Sequence, residues 1–222
     1  MKTQFWHERW EKNEIGFHQE EINTHLQEFW PLLNCPPGQT VFVPLCGKSK
    51  DMLWLAKQGH PVLGIEVSEI AVKAFFQEHH FTPHHTSQGS LTRWKHEEIQ
   101  ILCGDFFSLT PQHTHTVKGV YDRASLVALP EELRVHYAQH LAHLLVPETK
   151  VLLITLEYAQ DEMVGPPFSV SQPEVQALYT QTFKVQRIIA TEVLSENPHL
   201  AKKGLTRLTQ KIYFMNRLPN QN

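Results

Sequence analysis

Three acids and one cation stand where a fold could turn them onto a ligand. Glu66 sits at the C-terminal end of the apolar run 62–67, Asp105 follows the apolar run 99–103, and Asp122-Arg123 follow 119–121. Upstream, Gly47 lies about 20 residues before Glu66, the interval at which a turn glycine and an acid together hold a nucleoside in a βαβ unit. A carboxylate there accepts two ribose hydroxyls. Phe106 offers a flat apolar surface to a purine, Asp105 can accept an adenine amino hydrogen, and the Arg123 guanidinium can hold a carboxylate or a polar substrate.

The glycine turn discriminates between nucleosides. A pyrophosphate-binding turn wants G-x-G-x-x-G, and a phosphate-gripping loop wants a glycine upstream of Gly47-Lys48-Ser49. Neither is present, because Gly47 stands alone. The ligand expected is therefore adenosine without phosphates, and S-adenosylmethionine fits: adenosine with a sulfonium and an amino-acid tail.

The elements that must position these groups are legible from periodicity. Residues 41–43 form a short apolar strand stopped by Pro44, and Ser49 can cap the helix whose apolar face is Met52, Leu53, Leu55 and Ala56, with Gly59 at its end. Ser68 is placed to cap a helix through Ala71, Val72, Phe75 and Phe76. Residues 79–89 lose periodicity and read as an exposed loop, with a short hairpin near 91–95. Strands follow at 99–103 and 119–121, then a helix from Pro130 with Leu133, Tyr137, Leu141 and Leu144 on one face. The nearly uninterrupted apolar run 151–156 suits a central parallel strand. Residues 171–179 read as a helix, and 183–193 and 205–214 as closing strands. Ahead of all this, Phe5, Trp6, Trp10, Ile15 and Phe17 make an aromatic N-terminal segment, followed by a helix over 21–29. It packs on the sheet edge or closes over a ligand as a lid. The stiff loop 161–169, containing Gly165-Pro166-Pro167-Phe168, suits a pocket wall. Strands alternating with helices make the class α/β, with helices on both faces.

Composition bounds the partners. At 222 residues the chain is read as one domain, able to bury about 70% of its unfolded surface. Hydrophobic residues at 41%, charged residues at 19% and a formal net charge of −3 give no reason to expect nucleic acid or an anionic membrane. No run approaches the roughly 20 apolar residues of a membrane helix. Cys35, Cys46 and Cys103 are widely spaced, as free thiols in a reducing cytoplasm would be. The fifteen histidines include His79, His80, His84 and His85, but adjacent histidines converge poorly and no cysteine joins them, so no metal site is expected.

Several segments in order carry a resemblance. They are Phe5-Trp6-His7-Glu8-Arg9-Trp10, Gly16-Phe17-His18-Gln19, Val43-Pro44-Leu45-Cys46-Gly47-Lys48-Ser49, Gly64-Ile65-Glu66-Val67-Ser68, Cys103-Gly104-Asp105-Phe106-Phe107, Tyr121-Asp122-Arg123-Ala124 and Gly165-Pro166-Pro167-Phe168. Over essentially its whole length the chain resembles the thiopurine S-methyltransferase family in its bacterial form. The resemblance implies a Rossmann-like class I methyltransferase: a mostly parallel seven-stranded sheet with the last strand antiparallel, an N-terminal helical cover over residues 1–38 and a sheet core over 39–222. It implies S-adenosylmethionine as cofactor, with Trp10, Leu45, Glu66, Asp105, Phe106 and Arg123 as its contacts and Arg123 as the candidate catalytic residue. Phe17, Pro166 and Phe168 would belong to the lid and the substrate wall. The expected activity is methyl transfer to the sulfur of thiopurines or other aromatic thiols. Inorganic selenium or tellurium species and small thiols are the alternative acceptors, in a detoxifying role, and a non-catalytic nucleoside-binding protein is the reading from another class. The protein is expected to be a cytoplasmic monomer.

Overall fold

A computed structural model describes residues 3–16 and 18–219. Phe17, read above as part of the lid, lies outside the described residues. The chain divides into two compact units, Met1–Tyr121 and Asp122–Asn222.

In the first unit α1 (Thr3–Glu11) and α2 (Thr24–Phe29) precede β1 (Thr40–Val43), α3 (Asp51–Lys57), β2 (Val62–Glu66) and α4 (Glu69–Glu78). β3 (His84–Gln88), β4 (Leu91–His96), β5 (Ile99–Cys103), α5 (Pro111–Thr114) and β6 (Val117–Asp122) complete it, β6 running one residue past its boundary. Its strands lie in the order β3-β4-β5-β2-β1-β6. β1 pairs in parallel with β2 and β6, and β2 with β5, while the β3–β4 hairpin runs antiparallel onto β5. All five residues of β2 are buried, which is why its sequence is apolar without alternation. Helix starts follow side-chain capping: Asn23 accepts from the amides of His25 and Leu26, and Ser68 from that of Ala71. Ser49 acts one position earlier than expected, its hydroxyl accepting from the Asp51 amide while Lys50 occupies the cap position.

The second unit contains α6 (Glu131–Leu144), β7 (Lys150–Glu157), α7 (Gln172–Tyr179), β8 (Phe183–Glu192), α8 (Pro198–Ala201) and β9 (Thr209–Arg217). Here β9 lies between β7 and β8 and is antiparallel to both. α6 buries Tyr137, Ala138, Leu141, Ala142 and Leu144 on one stripe, and Arg134 joins them.

The expectation of seven strands needs correction. Nine strands are found among the described residues, and the additional pair is the β3–β4 hairpin. β3 was expected as loop because its residues, His84-His85-Thr86-Ser87-Gln88, are polar and four of the five are exposed, so no apolar alternation marks it. Ring contacts hold it instead: His85 stacks on Trp94 at 4.9 Å between centroids. None of the described helices is long and apolar enough to cross a membrane.

Candidate active site

Where β1 ends, the chain must reverse sharply to enter α3. Leu45 (φ 45°) and Gly47 (φ 53°) both take left-handed backbone there. For glycine that conformation is free, whereas for leucine it costs on the order of 1 kcal/mol, so the surrounding bonds must hold it. They do. The Cys46 amide donates to the Ile65 carbonyl at 2.9 Å, and the Gly47 amide to Glu66 Oε2 at 2.9 Å. Glu66 Oε1 accepts from the Ser68 amide at 2.8 Å. The carboxylate thus closes the turn on one side and starts α4 on the other.

Glu66 is 5% exposed, and burial pushes its carboxyl above the usual glutamate range while the amides of Ser68 and Gly47 pull the other way. The Ser68 and Gly47 amides meet different oxygens and the Val67 amide adds to them, so the carboxylate keeps part of its acceptor capacity. Two hydroxyls on neighbouring carbons match that pair of oxygens, and the ribose of adenosine supplies them. Trp10 packs over the turn, its ring carbon Cζ2 3.2 Å from where a β-carbon on Gly47 would stand. Among the expected cofactor contacts the structure therefore brings Trp10, the 45–47 turn and Glu66 together.

β5 adds the next pair. Cys103 registers opposite Glu66, and the Gly104 amide donates to the Glu66 carbonyl at 2.9 Å, so Asp105 and Phe106 emerge one turn from the carboxylate. Asp105 Oδ1 accepts from the Phe107 amide at 3.0 Å and caps the short 3-10 turn Phe106–Ser108. The Phe106 ring is 3% exposed, and Phe107 is 42% exposed, the two meeting edge to face at 5.3 Å. The open aromatic face at this strand end is Phe107, a residue that sequence reasoning passed over. The ring directions depend on the 3-10 turn, which periodicity does not reveal.

The thiols nearby are structural. Cys46 is buried, with its sulfur 2.7 Å from where a β-carbon on Gly64 would be, and burial holds it well above the ordinary thiol range. Cys103 is pushed up to about 11, chiefly by burial and then by Glu66, so it is a thiol at neutral pH.

In the second unit Asp122 is buried and accepts from the Ser125 amide at 3.3 Å and from the Tyr137 hydroxyl at 2.6 Å. Burial raises its carboxyl. Asp122 therefore shapes the turn that carries the half-buried Arg123. The loop bearing Pro166 and Phe168 is braced from within this unit. The Phe168 amide donates to the Val127 carbonyl at 2.7 Å, and the Tyr158 hydroxyl to the Pro167 carbonyl at 2.7 Å. Gly165 has φ 83° and lies against the Phe168 ring: a β-carbon there would stand 2.6 Å from the ring carbon Cδ1. The peptide bonds preceding Pro166 and Pro167 are cis. The loop is legible in the sequence, whereas Tyr158 and Arg134, which hold it, are not.

The model of thiopurine S-methyltransferase matches residues 1–218. The thiopurine S-methyltransferase of Nitrosospira multiformis is 49% identical over 215 residues, covering 97% of this chain and 98% of its own. That of Pseudomonas fluorescens is 45% identical over 213 residues, covering 96% and 98%. The chain belongs to the thiopurine S-methyltransferase family. It is a methyltransferase, and its cofactor is S-adenosylmethionine. Solved structures bear out the class I fold. An S-adenosylmethionine-dependent methyltransferase of Anabaena variabilis has a TM-score of 0.66 at 13% identity, covering 97% of this chain and 94% of that one. The 1,6-didemethyltoxoflavin-N1-methyltransferase of Burkholderia thailandensis, with bound S-adenosylhomocysteine, has a TM-score of 0.63 at 14% identity, covering 97% and 87%.

Proposed function

We propose that this enzyme methylates the sulfur of thiopurines or other aromatic and heterocyclic thiols. One observation carries the acceptor class: Arg123 leads directly into the turn whose Val127 carbonyl holds the Phe168 amide, so a cation and a braced aromatic loop belong to one local construction. That pairing suits a flat, anionic acceptor.

S-adenosylmethionine supplies a methyl group on a cationic sulfur, an activated leaving group. The chain's own task is then positioning, with reacting atoms about 3–3.5 Å apart, rather than proton transfer. Glu66 would hold the ribose hydroxyls, Leu45 and Trp10 would line the cofactor beside the glycine turn, and Asp105 and the Phe106 backbone would meet the adenine, the Phe106 ring being buried and that of Phe107 open. A heteroaromatic thiol is largely ionised near neutral pH and demands no general base. Arg123 favours that anion and is the catalytic residue of this reading, with Pro166 and Phe168 on the acceptor side. Three free thiols, Cys35, Cys46 and Cys103, accord with a cytoplasmic protein, which we take to act as a monomer.

The test is a labelled-methyl transfer assay with a thiopurine, thiophenol, a small aliphatic thiol and selenite competing at equal concentration. Preference for the aromatic thiols is expected. Binding of S-adenosylhomocysteine without turnover of any thiol would sink the acceptor class, and preference for selenite would transfer it to metalloids.

A further inference from the structure

Arg134 stands one turn into α6 and is 3% exposed, a location where an unpartnered guanidinium would be severely destabilising. Its three contacts run in three directions. Nε donates to the Leu129 carbonyl at 2.8 Å, Nη1 donates to Glu174 Oε1 of α7 at 2.5 Å, and Cζ lies 5.9 Å from the centroid of the Phe168 ring. Glu174 is itself held at the start of α7, where its amide donates to Ser171 Oγ at 3.2 Å. Leu129 ends the turn that begins at Arg123, and Phe168 ends the Gly165-Pro166-Pro167 loop. One buried cation therefore ties the segment following Arg123, the aromatic end of the stiff loop and the N-terminus of α7 into a single arrangement.

We propose that Arg134 is a positioning residue for the acceptor: it sets where Phe168 stands relative to the segment that carries Arg123, and so sets acceptor affinity and selectivity. This rests on the thiol reading of Arg123 and Phe168 given above. Arg134 is not placed as an acceptor ligand, because Nε and Nη1 are committed to Leu129 and Glu174 and its Cζ lies over the Phe168 ring. The planar fork is what the arrangement needs. A lysine at 134 keeps the charge, but its point-like ammonium cannot present the rigid guanidinium plane to Leu129, Glu174 and the ring together. Phe168 is gripped from several sides, by Arg134 at its ring, by the missing β-carbon of Gly165, and by the Val127 carbonyl at its amide. Without Arg134 the ring loses its cationic neighbour and gains freedom at the place where a flat acceptor would lie.

The experiment compares Arg134→Lys, Arg134→Met and Glu174→Gln with the wild type, working well below each variant's thermal midpoint. Steady-state kinetics give KM for an aromatic thiol and for S-adenosylmethionine separately, and calorimetry gives the affinity for S-adenosylhomocysteine. Hydrogen exchange of the peptide containing the Phe168 amide reads the loop without any need for turnover. For Arg134→Lys the expected result is an acceptor KM raised at least 10-fold, kcat within 3-fold, cofactor KM and S-adenosylhomocysteine affinity within 2-fold, and faster exchange at Phe168. The ratio of activity on a bulky against a small aromatic thiol should also change. Arg134→Met should behave similarly with a lower thermal midpoint. Glu174→Gln, which keeps an oxygen acceptor for Nη1, should lie between wild type and Arg134→Lys. Unchanged exchange at Phe168 in Arg134→Lys overturns the proposal, as does a rise in both KM values by the same factor. If exchange at Phe168 quickens but no thiol is ever a substrate, the thiol reading fails while the bracing role stands.

Discussion

The Trp10 indole stands 3.2 Å from the point that a β-carbon on Gly47 would occupy, so the aromatic N-terminal helix rests directly on the turn between β1 and α3. Gly47 is thus required twice, once for its φ of 53° and once for the space its hydrogen leaves to Trp10. Replacing it with alanine costs on the order of 1–2 kcal/mol for the left-handed backbone alone. Gly47→Ala should lower the thermal midpoint by roughly 2–8 °C in a protein of this size and weaken S-adenosylhomocysteine binding about 10-fold or more. Adding Trp10→Phe, which shrinks the ring, should restore part of the stability. Thermal denaturation of the two single variants and the double variant checks this, and strict additivity would show that the two residues do not couple.

Asp51 offers a second, purely architectural anchor. Its buried carboxylate accepts from the Asn23 amide at 2.8 Å and from the Tyr121 hydroxyl at 3.0 Å, joining the segment before α2, the start of α3 and the end of β6. Asp51→Ala removes this acceptor from both donors and should cost up to about 2–6 kcal/mol, taking roughly 1–3 for each buried group that loses it. Asp51→Asn should be much milder. The amide oxygen can take the Asn23 hydrogen, and the Tyr121 hydroxyl can turn to accept from the amide nitrogen. Denaturant titration of both variants measures the difference, and equal losses would contradict it.

How far the sequence discloses this architecture depends on whether residue type alone fixes a direction. The β1–α3–β2 unit is legible because apolar strands, a capped amphipathic helix and Gly59 each have a local cause. β3 is hidden by its polar residues, since its order comes from pairing with β4 and from the His85–Trp94 stack, both tertiary. Phe106 and Phe107 are indistinguishable by type, and only the 3-10 turn capped by Asp105 decides which ring is buried. Arg134 looks like an ordinary solvent-facing arginine on an amphipathic helix, and nothing local signals that Glu174, 40 positions later, will be its partner. Glu66 was recognisable because its position at a strand end is itself a sequence property. Its amide bonds to Gly47 and Ser68 were not.

Arg123 separates charge from shape. In the proposed reaction it holds an anionic, flat acceptor, so Arg123→Lys keeps the charge but loses the planar fork. The expected result is an acceptor KM raised about 10-fold with the pH dependence of the acceptor's ionisation retained. Arg123→Ala should also lose the preference for the anionic acceptor, with kcat/KM reduced by roughly 100-fold, about 2.7 kcal/mol of transition-state stabilisation. Kinetics across the thiol's pKa check this. Equal catalytic efficiency in the lysine and alanine variants would remove charge from the explanation.

In the proposed site Glu66 makes cofactor affinity depend on pH with a definite sign. Its carboxyl is raised in the folded protein, burial being the main cause. Its contribution to stability is therefore greatest below the unfolded glutamate value, about 4.3, and is lost as pH rises through the raised folded value. Cofactor binding runs in the opposite direction. In the proposed site the ribose hydroxyls donate to the Glu66 carboxylate, so affinity should be greatest above the raised folded value and fall as pH drops through it, starting above the ordinary glutamate range. His18 has its pKa lowered first by burial and then by Lys48, so it also titrates on the acid side and His18→Gln serves as the control. Calorimetric titration with S-adenosylhomocysteine from pH 4.5 to 8 should show the acid loss in wild type and in His18→Gln. In Glu66→Gln affinity should be weak and nearly flat with pH, because the amide accepts through one oxygen only and cannot ionise. The same acid loss in Glu66→Gln would assign the titration to another group.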